Sequence, residues 1–368
     1  MNFSLFSHRV WAVSLLSLLP ILPQAARAMP PQLRVAGPQL QTEAGQVVRL
    51  QGVNVPSLEW SNEGDHLLQS LKVALEDWKS NCIRLPLAQD RWFGKAPNQD
   101  DGGAAYRQLV EEVVKTVADH DAYVVLDLHW SDAGAWGRYI GQHSMPDENS
   151  EAFWLLLSGH FANHPAVLFD LYNEPKDVSW EVWKSGGEVK EKVRDKVGDG
   201  EQERDISYRT PGLQKLIDII RAGGARNVIV AGGLDWGYDL SGVLKGFDLA
   251  DPNGRGVLYG SHVYPWKGGP DNWKTHFGDI AKLHPIFVGE IGADPKEKRD
   301  NTEDGLTWSP KILQYINDNG LSWTGWCFHT DASPRMLLDW NYTPSPFWGQ
   351  FAKTALQDAA QKRNTGAR

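Results

Sequence analysis

The chain has 368 residues, 46 acidic against 37 basic, for a formal net charge of −9. That balance opposes nucleic acid or an anionic polymer as partner, because like charges repel, and favours a neutral one. Two cysteines, Cys82 and Cys327, are too few for a disulfide framework.

Residues 1–28 carry the parts of an export signal: His8 and Arg9, an apolar run from Val10 to Leu22, and a small-residue cleavage site at Ala26-Arg27-Ala28. The run contains Pro20 and falls short of the roughly 20 residues that span a bilayer. The expectation is therefore a cleaved signal and a secreted or periplasmic product with no membrane span. Residues 29–368 are long for one domain, but α/β barrels with enlarged loops reach this size, and no Ser/Thr/Pro linker marks an appended module.

From residue 45 onward, short β-rich runs alternate with helical ones, which calls for a parallel sheet with crossover helices. Eight runs are predicted: 47–53, 82–87, 123–129, 166–172, 227–232, 257–263, 286–291 and 321–327. Between them, Leu67, Leu68, Leu71, Leu75 and Trp78 mark one helix face, and Leu109, Val110, Val113, Val114 and Val117 another. Thr210-Pro211 reads as N-cap and first-turn proline of a helix carrying Leu213, Leu216, Ile217 and Ile220. Eight alternations favour a single-domain (β/α)8 TIM barrel.

Residues 184–206 break the rhythm, being rich in Lys, Glu, Arg and Asp without a sustained apolar face. They read as a charged, solvated insertion, with a lid over the cleft as the functional alternative. Strand parity places Cys82 with Arg84 and sets Cys327 against Trp326, so two unpaired, buried cysteines are expected.

In a closed barrel the C-terminal strand ends converge on one mouth, so polar residues there are functional candidates. The predicted ends supply Arg84, His129, Asn173-Glu174, His262 with Tyr264, Glu290 and Trp326. Each has a structural alternative: an arginine paired to a structural acid, core histidines, a packing tryptophan. Two carboxylates at strand ends beside Arg, His and Tyr point instead to acid/base groups. Such a pair meets the demand of glycosidic cleavage, where one protonates the leaving oxygen and the other attacks the anomeric carbon or activates water; their separation decides between retention and inversion. Seventeen tryptophans outnumber 12 Phe and 10 Tyr, and Trp60, Trp130, Trp136, Trp236 and Trp266 are candidate sugar platforms. Asn54 and Glu59 follow the first run, Glu59 as a possible hydroxyl-binding group on an exposed loop.

With LYNEP (171–175), FVGEIG (287–292), CIRLPL, DLHW and SHVY in this order, the chain resembles family 5 glycoside hydrolases of the retaining barrel clan. The resemblance implies Glu174 as acid/base and Glu290 as nucleophile, with Arg84 and the Tyr264 hydroxyl keeping Glu290 ionised and the pKa of Glu174 raised. It further implies that Asn173 binds the 2-hydroxyl, His129 contacts the same sugar, His262 lies near Glu174, and Trp326 is the apolar platform. The implied substrate is a neutral β-1,4-glucan, with mannan or mixed-linkage glucan as alternatives on the same core. No cofactor is called for. A metal-dependent hydrolase using His129 and His262 with Asp127 or Asp294, and a non-catalytic carbohydrate-binding barrel, are the readings from other classes.

Overall fold

The computed structural model describes residues 29–197, 200–295 and 303–365, together with Met1. The expected export segment otherwise lies outside the described residues. Within them, no helix is long and apolar enough to cross a membrane.

The chain opens with an antiparallel hairpin, β1 (Leu33–Ala36) and β2 (Gln39–Thr42). Eight strands then close a barrel: β3 (Gln51–Asn54), β4 (Cys82–Ala88), β5 (Tyr123–Trp130), β6 (Val167–Asp170), β9 (Ile229–Gly232), β10 (Val257–Val263), β11 (Ile286–Ile291) and β12 (Ser322–Gly325). Every neighbouring pair is parallel and follows chain order, with β12 returning to β3. All eight predicted runs thus form the (β/α)8 barrel. Their residues are buried almost throughout, which is why they read as near-continuous apolar stretches.

Helices cover the outside by the spacing seen in the sequence. In Ala104–Asp119, Tyr106, Val110, Val113, Val114 and Val117 are buried on one face, each valine contributing about 1.5–3 kcal/mol by leaving water. In Leu67–Glu76, Leu67, Leu71 and Leu75 are buried whereas Leu68 faces outward. The N-terminal hairpin closes the bottom of the barrel, where Leu33 and Leu40 join Cys82, Tyr123, Leu168 and Phe287 from the starts of four strands.

Cys82 sits in that lower cluster, while Cys327 follows β12 at the opposite end; both are free and buried. Their separation comes from position along the barrel axis, and β12 ends at Gly325, before the parity argument reaches residue 327.

The charged insertion is an ordered two-stranded hairpin, β7 (Gly187–Val197) paired antiparallel with β8 (Gly200–Thr210). Its base is built on glycine: Gly186 and Gly212 have φ 82° and 74°, and a Cβ on Gly212 would come within 2.3 Å of the Gly186 nitrogen. This corrects the expected cap, because Thr210 is the last residue of β8 and Gly212 caps the helix Leu213–Ala222 without a side-chain bond.

Candidate active site

Polar side chains gather towards the C-terminal strand ends around one cation, which is itself the third of the seven residues of β4 and not at that strand's end as expected, level with Asn54 at the end of β3. Arg84, on β4, is fully buried and has all three nitrogens engaged. Its Nε donates to Asp170 Oδ2 at 2.9 Å, Nη1 to Glu290 Oε1 at 2.9 Å and Asn54 Oδ1 at 3.1 Å, and Nη2 to Asn173 Oδ1 at 2.9 Å. Asp127 Oδ1 lies 3.0 Å from Nη2. Burial works against the guanidinium charge, but Asp127, Asp170 and Glu290 outweigh it and hold Arg84 protonated.

Glu290, at the end of β11, is held on both oxygens. While Arg84 occupies Oε1, the Tyr264 hydroxyl donates to Oε2 at 2.6 Å. Burial first, and then the Glu290 charge, push the Tyr264 phenol well above its usual pKa, so it stays a donor. Charge-assisted bonds of this kind orient a carboxylate.

Glu174 follows β6 and is partly exposed, with its Oε1 3.1 Å from His262 Nδ1. Burial raises its pKa above the ordinary value, opposed by His129, Lys176, Arg84 and Lys267. The same His262 nitrogen is 3.6 Å from Glu290 Oε2, and ligand-type atoms of Glu174, His262 and Glu290 all lie within 4.8 Å of one another. Such a triplet has the spacing of a metal site. However, both Glu290 oxygens already accept from Arg84 and Tyr264, and the buried guanidinium opposes a second cation there.

Both histidines are neutral, since burial lowers His129 to about 4 and His262 to about 3. His129 Nδ1 faces Asp127 Oδ2 at 2.6 Å, and Asn173 Nδ2 lies 3.2 Å from Nε2. An amide donor needs a bare nitrogen, so the proton resides on Nδ1. Asn173 is thereby fixed from two sides, by Arg84 and His129, and its amide also donates to Gln142 Oε1 at 2.7 Å.

Aromatic surfaces frame these groups. Trp326 stacks on His129 with ring centroids 5.4 Å apart and 7° between planes, and Trp266 stacks on Tyr264 at 4.7 Å. Trp60 donates to Asp65 Oδ2 at 3.0 Å and meets His329 edge-on. Trp236 is 45% exposed, with Lys176 Nζ 3.8 Å from its ring centre. Trp130 and Trp236 line one cavity of about 1140 Å³. Trp136 is not part of this frame and packs edge-on against Phe93 at 5.0 Å.

Several residues of the site escaped the sequence reading, or, like Asp127, entered it only as a metal ligand in the alternative reading. Asp170 and Asp127 bind Arg84, and the available signal was a charge inside an otherwise apolar strand, in VLFD and YVVLDLHW. His66 stacks on Trp340 at 4.4 Å and His329 meets Trp340 edge-on, extending the Trp60 cluster. Gln142 and Lys176 carried no motif. Glu59 is buried rather than on an exposed loop: its Oε2 accepts from the Ser57 backbone, and burial raises it to about 8.

Comparison with known proteins agrees with this architecture. The family model for cellulase (glycosyl hydrolase family 5) matches residues 41–332. Endoglucanase E-5 of Thermobifida fusca is 24% identical over 345 residues, covering 89% of this chain and 64% of that protein. The major extracellular endoglucanase of Xanthomonas campestris is 26% identical over 324 residues, covering 77% and 62%. The chain thus spans somewhat less than two thirds of the length of these relatives. Among solved structures, a β-glucanase of Saccharophagus degradans in complex with cellotetraose has a TM-score of 0.69 at 22% identity, covering 93% of this chain and 98% of that one. The catalytic domain of Thermobifida fusca endoglucanase Cel5A has a TM-score of 0.62 at 20% identity, covering 89% and 97%. With a barrel of matching topology and a family match across residues 41–332, the chain belongs to the cellulase family, glycosyl hydrolase family 5.

Proposed function

We propose that the chain is an exported, retaining endo-β-1,4-glucanase in which Glu290 is the nucleophile and Glu174 the general acid and base. The observation that carries this reading is the approach of the two carboxylates, whose nearest oxygens lie within 4.8 Å. Retaining enzymes keep their carboxyl groups about 5–5.5 Å apart, whereas inverting enzymes leave about 6.5–9.5 Å for a water.

In the first step a Glu290 oxygen attacks the anomeric carbon as Glu174 protonates the departing glycosidic oxygen, giving a glycosyl ester. Glu174 then takes a proton from water, which attacks the same carbon and releases Glu290. Each group's surroundings suit its role: Arg84 and Tyr264 bind the Glu290 charge, while burial favours the protonated form of Glu174. Neutral His262 keeps its Nδ1 within hydrogen-bond reach of Glu174 without adding a charge beside it.

On this reading Asn173 meets the hydroxyl next to the anomeric carbon and Trp326 faces the sugar's CH-rich side, supported by the fixing of Asn173 between Arg84 and His129 and by the stacking of Trp326 on His129. Export rests on the signal-like residues 1–28. Glucan is favoured over mannan by the relatives named endoglucanase and by the neighbour bound to cellotetraose. Product analysis on soluble cellulose, mixed-linkage glucan and mannan tests the substrate: faster turnover of mannan would reject it. For the mechanism, Glu290→Ala should abolish turnover, and undiminished activity would reject the nucleophile.

A further inference from the structure

We infer that the β7–β8 hairpin forms the wall of a binding site for the departing part of the sugar chain, offering its strand edge to hydroxyl groups. The inference rests on the assignment of Glu174 as proton donor.

A proton donor must face the leaving oxygen, so the leaving group lies on the Glu174 side of the broken bond. The cavity of about 1140 Å³ opens on that side. It is lined by residues next to Glu174, namely Gln142, which bonds the Glu174 backbone carbonyl, and Lys176, with Trp130 and Trp236, while the carboxylates Glu174 and Glu290 and the latter's partners Arg84 and Tyr264 are not in its wall. Its volume lies just above the roughly 300–1,000 Å³ of ordinary ligand sites, enough for more than one sugar unit. Trp236 supplies an exposed apolar face and Lys176 a donor beside it.

The opposite wall is the hairpin. Six consecutive residues, Lys190 to Asp195, border the cavity. Side chains alternate along a strand, so an unbroken run brings the backbone of β7 to the cavity as well as alternate side chains. Among the described residues β7 pairs with β8 alone, leaving the backbone N–H and C=O groups of its other edge unpaired by any strand. A row of alternating donors and acceptors complements sugar hydroxyls, which are both.

The hairpin is also fixed rather than swinging free. Val189 and Tyr208 are buried at its base, and the Tyr208 hydroxyl bonds both the N–H and the carbonyl of Met145. Further out, Glu191 bonds His143 and the Ser144 N–H, and Asp195 pairs with Arg138 at 2.7 Å. His143 presents its second nitrogen to the Tyr139 carbonyl, tying the clasp to the loop that carries Gln142. All these bonds hold β7 along the cavity.

The test removes residues 192–205 and joins Glu191 directly to Ile206, its cross-strand partner, through an Asn-Gly turn. Activity is measured on an aryl β-cellotrioside, whose leaving group is one ring, and on cellohexaose. The ratio of kcat/KM on cellohexaose to that on the aryl glycoside should fall by about tenfold, with a shift in the cellohexaose cleavage position. An unchanged ratio overturns the inference, whether both rates fall or neither does. Trp236→Ala is the second variant and should lower the same ratio should the shortened hairpin fail to fold; no change there likewise overturns it. Wild-type inactivity on both glucosides would reject the β-1,4-glucan reading instead, and the comparison is then made on aryl and oligomeric forms of the glycan the enzyme does cleave.

Discussion

Arg84 Nη1 and Glu290 Oε1 are 2.9 Å apart with both side chains almost wholly shielded from water. The same guanidinium holds Asp127, Asp170, Asn54 and Asn173, so it orients Glu290 while its single charge is shared among three carboxyl groups. Lysine keeps the charge but loses the planar fork. Arg84→Lys should therefore lower kcat by about a hundredfold or more and destabilise the fold by about 1.5–3 kcal/mol for each charged hydrogen bond that the fork made and lysine cannot. Steady-state kinetics and urea unfolding check both; an unaltered kcat would show that Glu290 is aimed without it.

The state of Glu174 governs the alkaline side of the pH profile. Its pKa is raised, chiefly by burial, so the protonated acid persists above the ordinary glutamate range and is lost as pH rises through the raised value. kcat/KM should fall on that limb. Glu174→Gln should remove the limb and cut activity by about 100- to 10,000-fold on substrates with poor leaving groups, with a smaller loss for an activated aryl leaving group that departs unprotonated. An alkaline limb retained in the Gln variant would assign it to another group.

Much of this architecture was legible because central parallel strands, buried on both faces, print themselves as apolar runs. The β7–β8 hairpin was not legible for the opposite reason. Its inward face alternates Val189, Glu191, Val193 and Asp195, and the two carboxylates are satisfied by His143 and Arg138 from a loop about fifty residues away. With half of the face charged, period-two hydrophobicity vanishes. Glu59 failed similarly: an acidic residue after a strand looks solvent-bound until the chain folds back over it. Asp127 and Asp170 were missed although a charge within an apolar strand signals a buried partner, here Arg84.

The hairpin base makes a backbone prediction. Gly186 (φ 82°, ψ 174°) and Gly212 (φ 74°, ψ 158°) lie where essentially only glycine is stable, and a Cβ on either would meet backbone atoms within about 2.5 Å. Gly212→Ala should cost about 1–3 kcal/mol and increase proteolysis between residues 187 and 210. Unchanged unfolding and cleavage would mean that the base tolerates a side chain.

Glu191 should make the same hairpin sensitive to acid. Burial opposes its charge, but bonds from His143 and Ser144 prevail and hold its pKa below the ordinary value. A carboxylate depressed in the folded state stabilises above its unfolded pKa and loses that contribution as pH falls through the folded one. Glu191→Gln should therefore cost stability at neutral pH, about 1–3 kcal/mol for the lost charged bonds, and progressively less below about pH 4. Protease sensitivity of the hairpin across pH 3–7 checks this; a constant difference from the wild type would show that the ionised clasp does not hold it.

Glu59 carries the opposite sign. Burial lifts it to about 8, and its Oε1 has no hydrogen-bond partner among the described residues. The unfolded chain releases this proton near the ordinary glutamate pKa, whereas the folded protein retains it, so the folded state loses stability as pH climbs from about 4.5 towards 8. Glu59→Gln keeps the shape of the protonated acid without a group to ionise. Its stability relative to the wild type should rise by at least about 1 kcal/mol between pH 5 and pH 8. Denaturant unfolding at the two pH values reads this directly. Parallel stability curves for the two proteins would mean that Glu59 is already ionised in the fold, and its free oxygen would then need a cation or donor that the surrounding side chains do not provide.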